Sequence, residues 1–180
     1  MKLFLIRHGE VTANVEKIYS GQQNSQLTEH GKEQAQALRS VLAPFHFDRV
    51  YSSDLDRAID TQRLAIPGVE GIRDPILREY DVGTLANQPF QNVKDYSLYG
   101  GESPEMVCDR FRQFLKKLEA DPCDYVAAFA HGGYLKCALQ VVLGVDYPRG
   151  NITCGNCCIT VFEFKNGKWS VLAWNYGGNI

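Results

Sequence analysis

The sequence contains no apolar run of the roughly 18 to 20 residues that a membrane-spanning helix requires, so no such anchor is expected and the chain reads as soluble. It also lacks a cationic excess. Lysine and arginine number 19 against 21 aspartates and glutamates, a formal net charge of −2. That balance argues against nucleic acid or an anionic membrane surface as partner. An anionic ligand would need cations gathered at one place.

A secretory leader is not expected either, because the apolar start Met1–Ile6 is cut short by Arg7. We therefore expect a reducing, cytoplasmic setting. The six cysteines do not form a disulfide pattern, and the cluster Cys154, Cys157 and Cys158 lacks the second pair or nearby histidine that would complete four metal ligands. Buried thiols are the simpler reading. There is no internal repeat and no low-complexity segment.

What is present is an alternation of short apolar runs and amphipathic stretches. Leu3–Ile6 ends abruptly at Arg7-His8-Gly9, as a buried strand would when it delivers polar groups at its C-terminal end. A polar loop rich in Gln and Asn follows. Thr28 is placed to cap a helix with Ala35, Leu38 and Leu42 on one face, stopped by Pro44. Val50-Tyr51 reads as a strand, and Asp54 as the cap of a helix whose face carries Leu55, Ala58, Ile59 and Gln62, ended by Pro67-Gly68.

The stretch 75–103, with Gly83, Pro89 and Gly100-Gly101, is expected to be irregular and to face a ligand. Ser103-Pro104 then starts a helix bearing Val107, Phe111, Phe114, Leu115 and Leu118. The apolar run to Ala130 ends in His131-Gly132-Gly133, repeating the arrangement at the N-terminus, and a helix with Leu135, Leu139 and Val142 follows. Residues 158–164 and 169–174 read as an antiparallel pair turned at Asn166-Gly167. The expectation is one α/β domain over residues 1–180: a three-layer α/β/α sandwich with a mostly parallel central sheet and an antiparallel C-terminal strand pair. In such sheets ligands sit beyond the carboxyl ends of the strands.

Of the four histidines, His30 and His46 are read as solvated surface residues. His8 and His131 differ, since each ends a buried strand and precedes glycine, which would let the backbone turn and keep the ring open to a ligand. Arg7 and Arg57 suit a phosphoryl group if they converge there, because guanidinium forks onto phosphate oxygens. Spacing alone serves equally well for an exposed Arg57 paired with Asp54 or Asp60.

The ordered set Arg7-His8-Gly9-Glu10, Asn14, Ser20-Gly21, Leu27-Thr28-Glu29-His30-Gly31, Ser52-Ser53-Asp54-Leu55, Arg57-Ala58, Leu77-Arg78-Glu79, Gly101-Glu102-Ser103 and His131-Gly132-Gly133 resembles the histidine phosphatase superfamily, in its phosphoglycerate-mutase-like branch. The resemblance implies His8 as the nucleophile that takes the phosphoryl group, with Arg7, Arg57 and His131 around its oxygens. It further implies Asn14 and the Ser20-Gly21 turn as neutral donors, Gly132 at the substrate, and Glu79 as proton donor to the leaving oxygen. Asp81 is the competing acid. Neither metal nor cofactor is called for, since the arginines and His131 supply the charge.

The implied activity is hydrolysis of a small-molecule phosphomonoester, such as alpha-ribazole phosphate or a sugar or glycolytic phosphate. In length the chain resembles the family's small alpha-ribazole and broad-specificity phosphatases. A phosphoglycerate mutase and a non-catalytic phospholigand-binding protein are the alternatives, and association into a homo-oligomer is left open. Many family phosphatases follow the acid with Gly-x-Trp-Glu-Gly, whereas this chain has Gly83-Thr84-Leu85-Ala86-Asn87. The departure bears on which substrate is used, as does the segment 85–99, with Asn87, Gln88, Phe90, Asn92, Tyr96 and Tyr99 but one lysine, Lys94.

Overall fold

A computed structural model describes residues 1–91, 93–145 and 152–177. Six strands form one sheet: β1 (Lys2–Arg7), β2 (Arg49–Ser52), β3 (Ile72–Arg73), β4 (Tyr125–Ala130), β5 (Ile159–Lys165) and β6 (Lys168–Tyr176), in the order β3-β2-β4-β1-β5-β6. The pairs β1–β4, β4–β2 and β2–β3 are parallel, while β5 runs antiparallel to β1 and β6 to β5. The turn between β5 and β6 is Asn166-Gly167, both at positive φ (51° and 73°), the geometry of a two-residue hairpin that follows strand twist.

β4 is apolar throughout, and β1 is apolar between its end residues Lys2 and Arg7, because both of their faces are covered. Leu3, Leu5, Val126 and Ala128 point to a core shared with α4 (Pro104–Ala120) and α5 (Gly132–Leu143). Phe4, Ile6, Ala127 and Phe129 point to the opposite core, shared with α2 (Glu29–Leu42) and α3 (Asp56–Ala65). The period-two alternation of a strand thus builds three layers. Thr28 caps α2 through Gly31 N, and Ser103 caps α4 through Met106 N with Pro104 in the first turn. Among the described residues no helix is long and apolar enough to cross a membrane.

Three expectations need correction. The polar loop after Glu10 contains a one-turn helix, α1 (Thr12–Val15). Asp54 does not cap α3. The N-cap is Leu55, without a side-chain bond, because both Asp54 oxygens are taken by the Arg78 guanidinium at 2.7 and 2.5 Å. Glycine after each histidine serves close approach rather than a turn. A β-carbon on Gly9 would lie 2.4 Å from the Gly31 carbonyl oxygen, and one on Gly132 would lie 3.2 Å from Arg7 Nε, while one on the next residue, Gly133, would lie 2.5 Å from Glu79 Oε1. Between residues 75 and 103 the regular structure among the described residues before α4 is limited to 3₁₀ turns at Pro75–Leu77, Gly83–Leu85 and Tyr96–Tyr99. Asn92 lies outside the described residues.

Candidate active site

The parallel register of β1 on β4 sets Arg7 opposite Ala130. The next residue of each strand, His8 and His131, therefore emerges at the same level, with ring centroids 5.2 Å apart. Both are buried. His8 Nδ1 lies 2.7 Å from the Gly9 carbonyl oxygen. A carbonyl accepts only, so Nδ1 carries the proton and Nε2 is left with a lone pair. His131 is the other tautomer: its Nδ1 accepts from Arg57 Nε at 3.2 Å, so Nε2 carries a proton. That buried N–H has no partner among the described residues.

An orphaned donor of this kind is costly unless a ligand completes it. Arg57 is buried, with Nη1 donating to Gln23 O at 2.8 Å and Nη2 to Gly21 O at 2.6 Å. These bonds and the one to His131 occupy three of its five N–H groups. The Gly21 carbonyl thus helps to aim Arg57, in addition to the donor role implied for the Ser20-Gly21 turn. Arg7 donates through Nη1 to the Cys154 carbonyl, and its buried Nε has no partner among the described residues. Asn14 Oδ1 accepts from Val11 N at 3.2 Å and Asn156 Nδ2 at 3.2 Å, which turns its amide N–H groups away from them.

Glu79 is held by Gly133 N on Oε2 (3.0 Å) and Tyr80 N on Oε1 (3.0 Å). One lone pair remains on each oxygen. Its main-chain carbonyl is held by Gln22 Nε2 at 3.2 Å and Arg110 Nη2 at 3.3 Å. Arg110 also takes the carbonyls of Ile76 and Arg78 and forks onto Glu102, so it clamps the whole segment. Asp81 is exposed and accepts from Gly83 N at 2.9 Å. Arg7, His8, Asn14, Ser20, Gly21, Arg57, Glu79 and Gly132 all line one cavity of about 1180 Å³, whereas Asp81 does not. His131 lies behind it.

Sequence reasoning missed the supports of this site. Thr61 accepts from Gly9 N at 3.0 Å and donates to Arg57 O at 2.7 Å, linking the two. Asn156 donates to His8 O and Asn14 Oδ1, each at 3.2 Å. The Gly155-Asn156 dipeptide marks a turn before a strand, but nothing local says that the turn lies behind His8.

Burial pushes the His8 imidazole well below its ordinary range, with Arg57 and then Arg7 adding to the effect and the Gly9 carbonyl opposing it. His131 is lowered likewise by burial, then by Arg57, His8, Arg7 and Arg110. Both rings are therefore neutral at neutral pH and for some distance below. In the unfolded chain they take up protons near pH 6.5. The unfolded state then binds more protons, and stability falls as pH drops below about 6.5. We expect the unfolding free energy to be smaller at pH 5.5 than at pH 7.5, by on the order of 1 kcal/mol for each of the two histidines. Urea denaturation at the two pH values measures this, and a drop that His8→Asn does not roughly halve would sink the assignment.

Comparison with known proteins adds an independent line. The family model described as "Histidine phosphatase superfamily (branch 1)" matches residues 3–177. A protein from Cronobacter sakazakii named "Probable phosphoglycerate mutase GpmB" is 27% identical over 97% of this chain and 90% of its own. Among solved structures, the alpha-ribazole phosphatase from Shigella flexneri superposes with a TM-score of 0.84 at 26% identity, covering 99% of this chain and 98% of that one. A mycobacterial glucosyl-3-phosphoglycerate phosphatase in complex with VO3 gives 0.86 at 26% identity, covering 97% and 98%.

Proposed function

Since this chain belongs to the histidine phosphatase superfamily and is an enzyme of the phosphatase type, we propose that it hydrolyses a small-molecule phosphomonoester through a phosphohistidine at His8 Nε2. The observation that carries this reading is the pair of histidine rings, 5.2 Å apart and of opposite tautomer. His8, which lines the cavity, has a lone pair on Nε2, and His131, just behind it, has an N–H with no partner among the described residues. A nucleophile and a donor of this polarity match a phosphorus atom and an equatorial oxygen.

In the first step the His8 Nε2 lone pair attacks phosphorus in line as the bond to the leaving oxygen breaks, and Glu79 gives that oxygen a proton. Arg7, Arg57, Asn14 and the His131 N–H take the equatorial oxygens, so the charge of the transition state meets donors already in place. In the second step the Glu79 carboxylate removes a proton from water, which attacks the phosphohistidine. Phosphate leaves, and the His8 nitrogen recovers its lone pair.

Beyond the cage the cavity wall sets Lys94 and Lys136 against Asp95 and Glu105. That balance provides little excess field for a second phosphate, which favours a monophosphate. Alpha-ribazole phosphate and sugar or glycolytic monophosphates are the proposed candidates. The test is to follow free phosphate and isomerised product together from each ester. Isomerisation of a monophosphoglycerate that outpaces phosphate release would replace hydrolysis by mutase activity.

The acid role yields a separate prediction. Glu79→Gln should lower turnover of an alkyl phosphate by about 10²- to 10⁴-fold. With 4-nitrophenyl phosphate, whose leaving group needs no proton, the first turnover should remain as a burst while the second step stalls. Rapid-quench measurement separates these phases. Equal loss of the burst with both esters would remove Glu79 from the donor role.

A further inference from the structure

The loop from Cys154 to Cys158 packs behind the phosphate cage and touches three of its members. The Cys158 carbonyl accepts from Arg7 N at 3.0 Å, and the Cys154 carbonyl accepts from the Arg7 guanidinium. Cys157 N and Asn156 Nδ2 both donate to the His8 carbonyl at 3.2 Å, and Asn156 also holds Asn14. Within this loop the sulfurs of Cys154 and Cys158 are 3.3 Å apart. Cys154 lines the substrate cavity, whereas Cys158 is sealed beneath it. Cys157 lies against the opposite core and is not part of the pair.

We propose that Cys154 and Cys158 form a site of reversible oxidation, at which a peroxide closes a disulfide and shifts the Arg7 guanidinium away from the phosphoryl position. In the first step the Cys154 sulfur attacks one peroxide oxygen and the O–O bond breaks. Cys154 becomes a sulfenic acid, and hydrogen peroxide is reduced to one water. The Cys158 sulfur then attacks the sulfenic sulfur, the S–O bond breaks, and the hydroxyl leaves as a second water with the Cys158 proton. Two thiols have lost two electrons, and a dithiol reductant restores them by exchange.

The division of labour follows from position. Cys154 meets the cavity through which a small oxidant arrives, and Cys158 waits in contact behind it. The hydrogen bond from Cys158 lowers the Cys154 thiol, with Arg7 assisting, and the same bond and burial raise that of Cys158. Cys157, pushed up to about 12 by burial, stays inert. Closing the bond brings the sulfurs to about 2.05 Å, a contraction the short loop passes to the carbonyl that holds Arg7. A displacement of about 1 Å at a phosphoryl-binding group costs up to about 10²-fold in rate.

The consequence for turnover rests on the role of Arg7 in the proposed hydrolysis, while bond formation does not. Both are read on the same sample. Reduced and peroxide-treated enzyme are digested without reductant and weighed, and kcat/KM is measured with 4-nitrophenyl phosphate. The expected result is a Cys154–Cys158 cross-link in step with a fall of about 10- to 100-fold in kcat/KM, both reversed by dithiothreitol. In Cys158→Ala no cross-link forms, and a sulfenic acid accumulates at Cys154, trapped by dimedone. Absence of the cross-link in the wild-type protein, or its formation with kcat/KM unchanged, overturns the proposal. If the reduced enzyme turns over no ester, the hydrolytic reading fails instead, and the mass measurement still decides whether the bond forms.

Discussion

His8→Ala should abolish hydrolysis, lowering kcat by roughly 10⁴- to 10⁶-fold, the scale on which removing a covalent nucleophile acts. The fold should survive, because the described hydrogen bond of the ring is the local one to the Gly9 carbonyl, and alanine removes no partner from a distant element. Loss of activity with an unchanged unfolding midpoint at pH 8 therefore separates chemistry from collapse. The wild-type enzyme quenched during turnover should carry one phosphoryl group, labile to acid and stable to alkali, on the peptide containing His8. A phosphoryl group found on another residue, or turnover that survives the substitution, would show that the lone pair at Nε2 is not the one that attacks. The effect should not be shared by His131→Ala to the same degree. That ring supplies a hydrogen bond to an oxygen, and losing one such donor costs about 10²- to 10³-fold.

How far the site could be read from sequence follows from what each residue depends on. His8 and His131 were legible because strand termini are local events: an apolar run stops, and the next residue is at the sheet's end. Their adjacency was not, since it requires β4 to pair beside β1 although more than a hundred residues separate them. Arg57 was ambiguous for a related reason. The spacing of α3 puts it on the helix whether it faces solvent or the crevice, and only the arrival of the 21–23 segment, offering two carbonyls, draws it inward. Asp54 misled because a capping residue and an ion-pair partner look alike in sequence, and Arg78 lies 24 residues on. The glycines after the two histidines were identified correctly and explained wrongly: Gly9 makes room for the Gly31 backbone and Gly132 for the Arg7 side chain, neighbours that no local pattern announces. The loop 154–158 was read as buried thiols, which the structure bears out. Its place behind Arg7 arises from the antiparallel pairing of β5 on β1.

Arg57→Met should lower kcat/KM by about 10³- to 10⁵-fold, the range over which a transition-state arginine acts in phosphoryl transfer, yet leave the unliganded protein within about 2 kcal/mol of its original stability. The two halves have different causes. For catalysis, Arg57 combines a guanidinium aimed by two carbonyls with a bond that fixes the His131 tautomer, so its removal disables two donors together. For stability, the guanidinium is buried and takes part in none of the ion pairs among the described residues. Burial brings it down to about 10, with Glu79 opposing that shift and Arg7 adding to it. Removing a poorly compensated buried charge offsets much of what is lost when the Gly21 and Gln23 carbonyls are left unsatisfied. A phosphate dianion supplies the missing compensation, so inorganic phosphate at about 100 times its Kd should stabilise the wild-type enzyme by about 2.7 kcal/mol and should leave Arg57→Met nearly unmoved. Arg57→Lys, which keeps charge but not the fork, should recover only part of both effects. Thermal denaturation with and without phosphate, beside steady-state kinetics, tests each half. An Arg57→Met protein that unfolds at room temperature would mean that this arginine is a structural strut, and one that still gains full stability from phosphate would place the anion elsewhere.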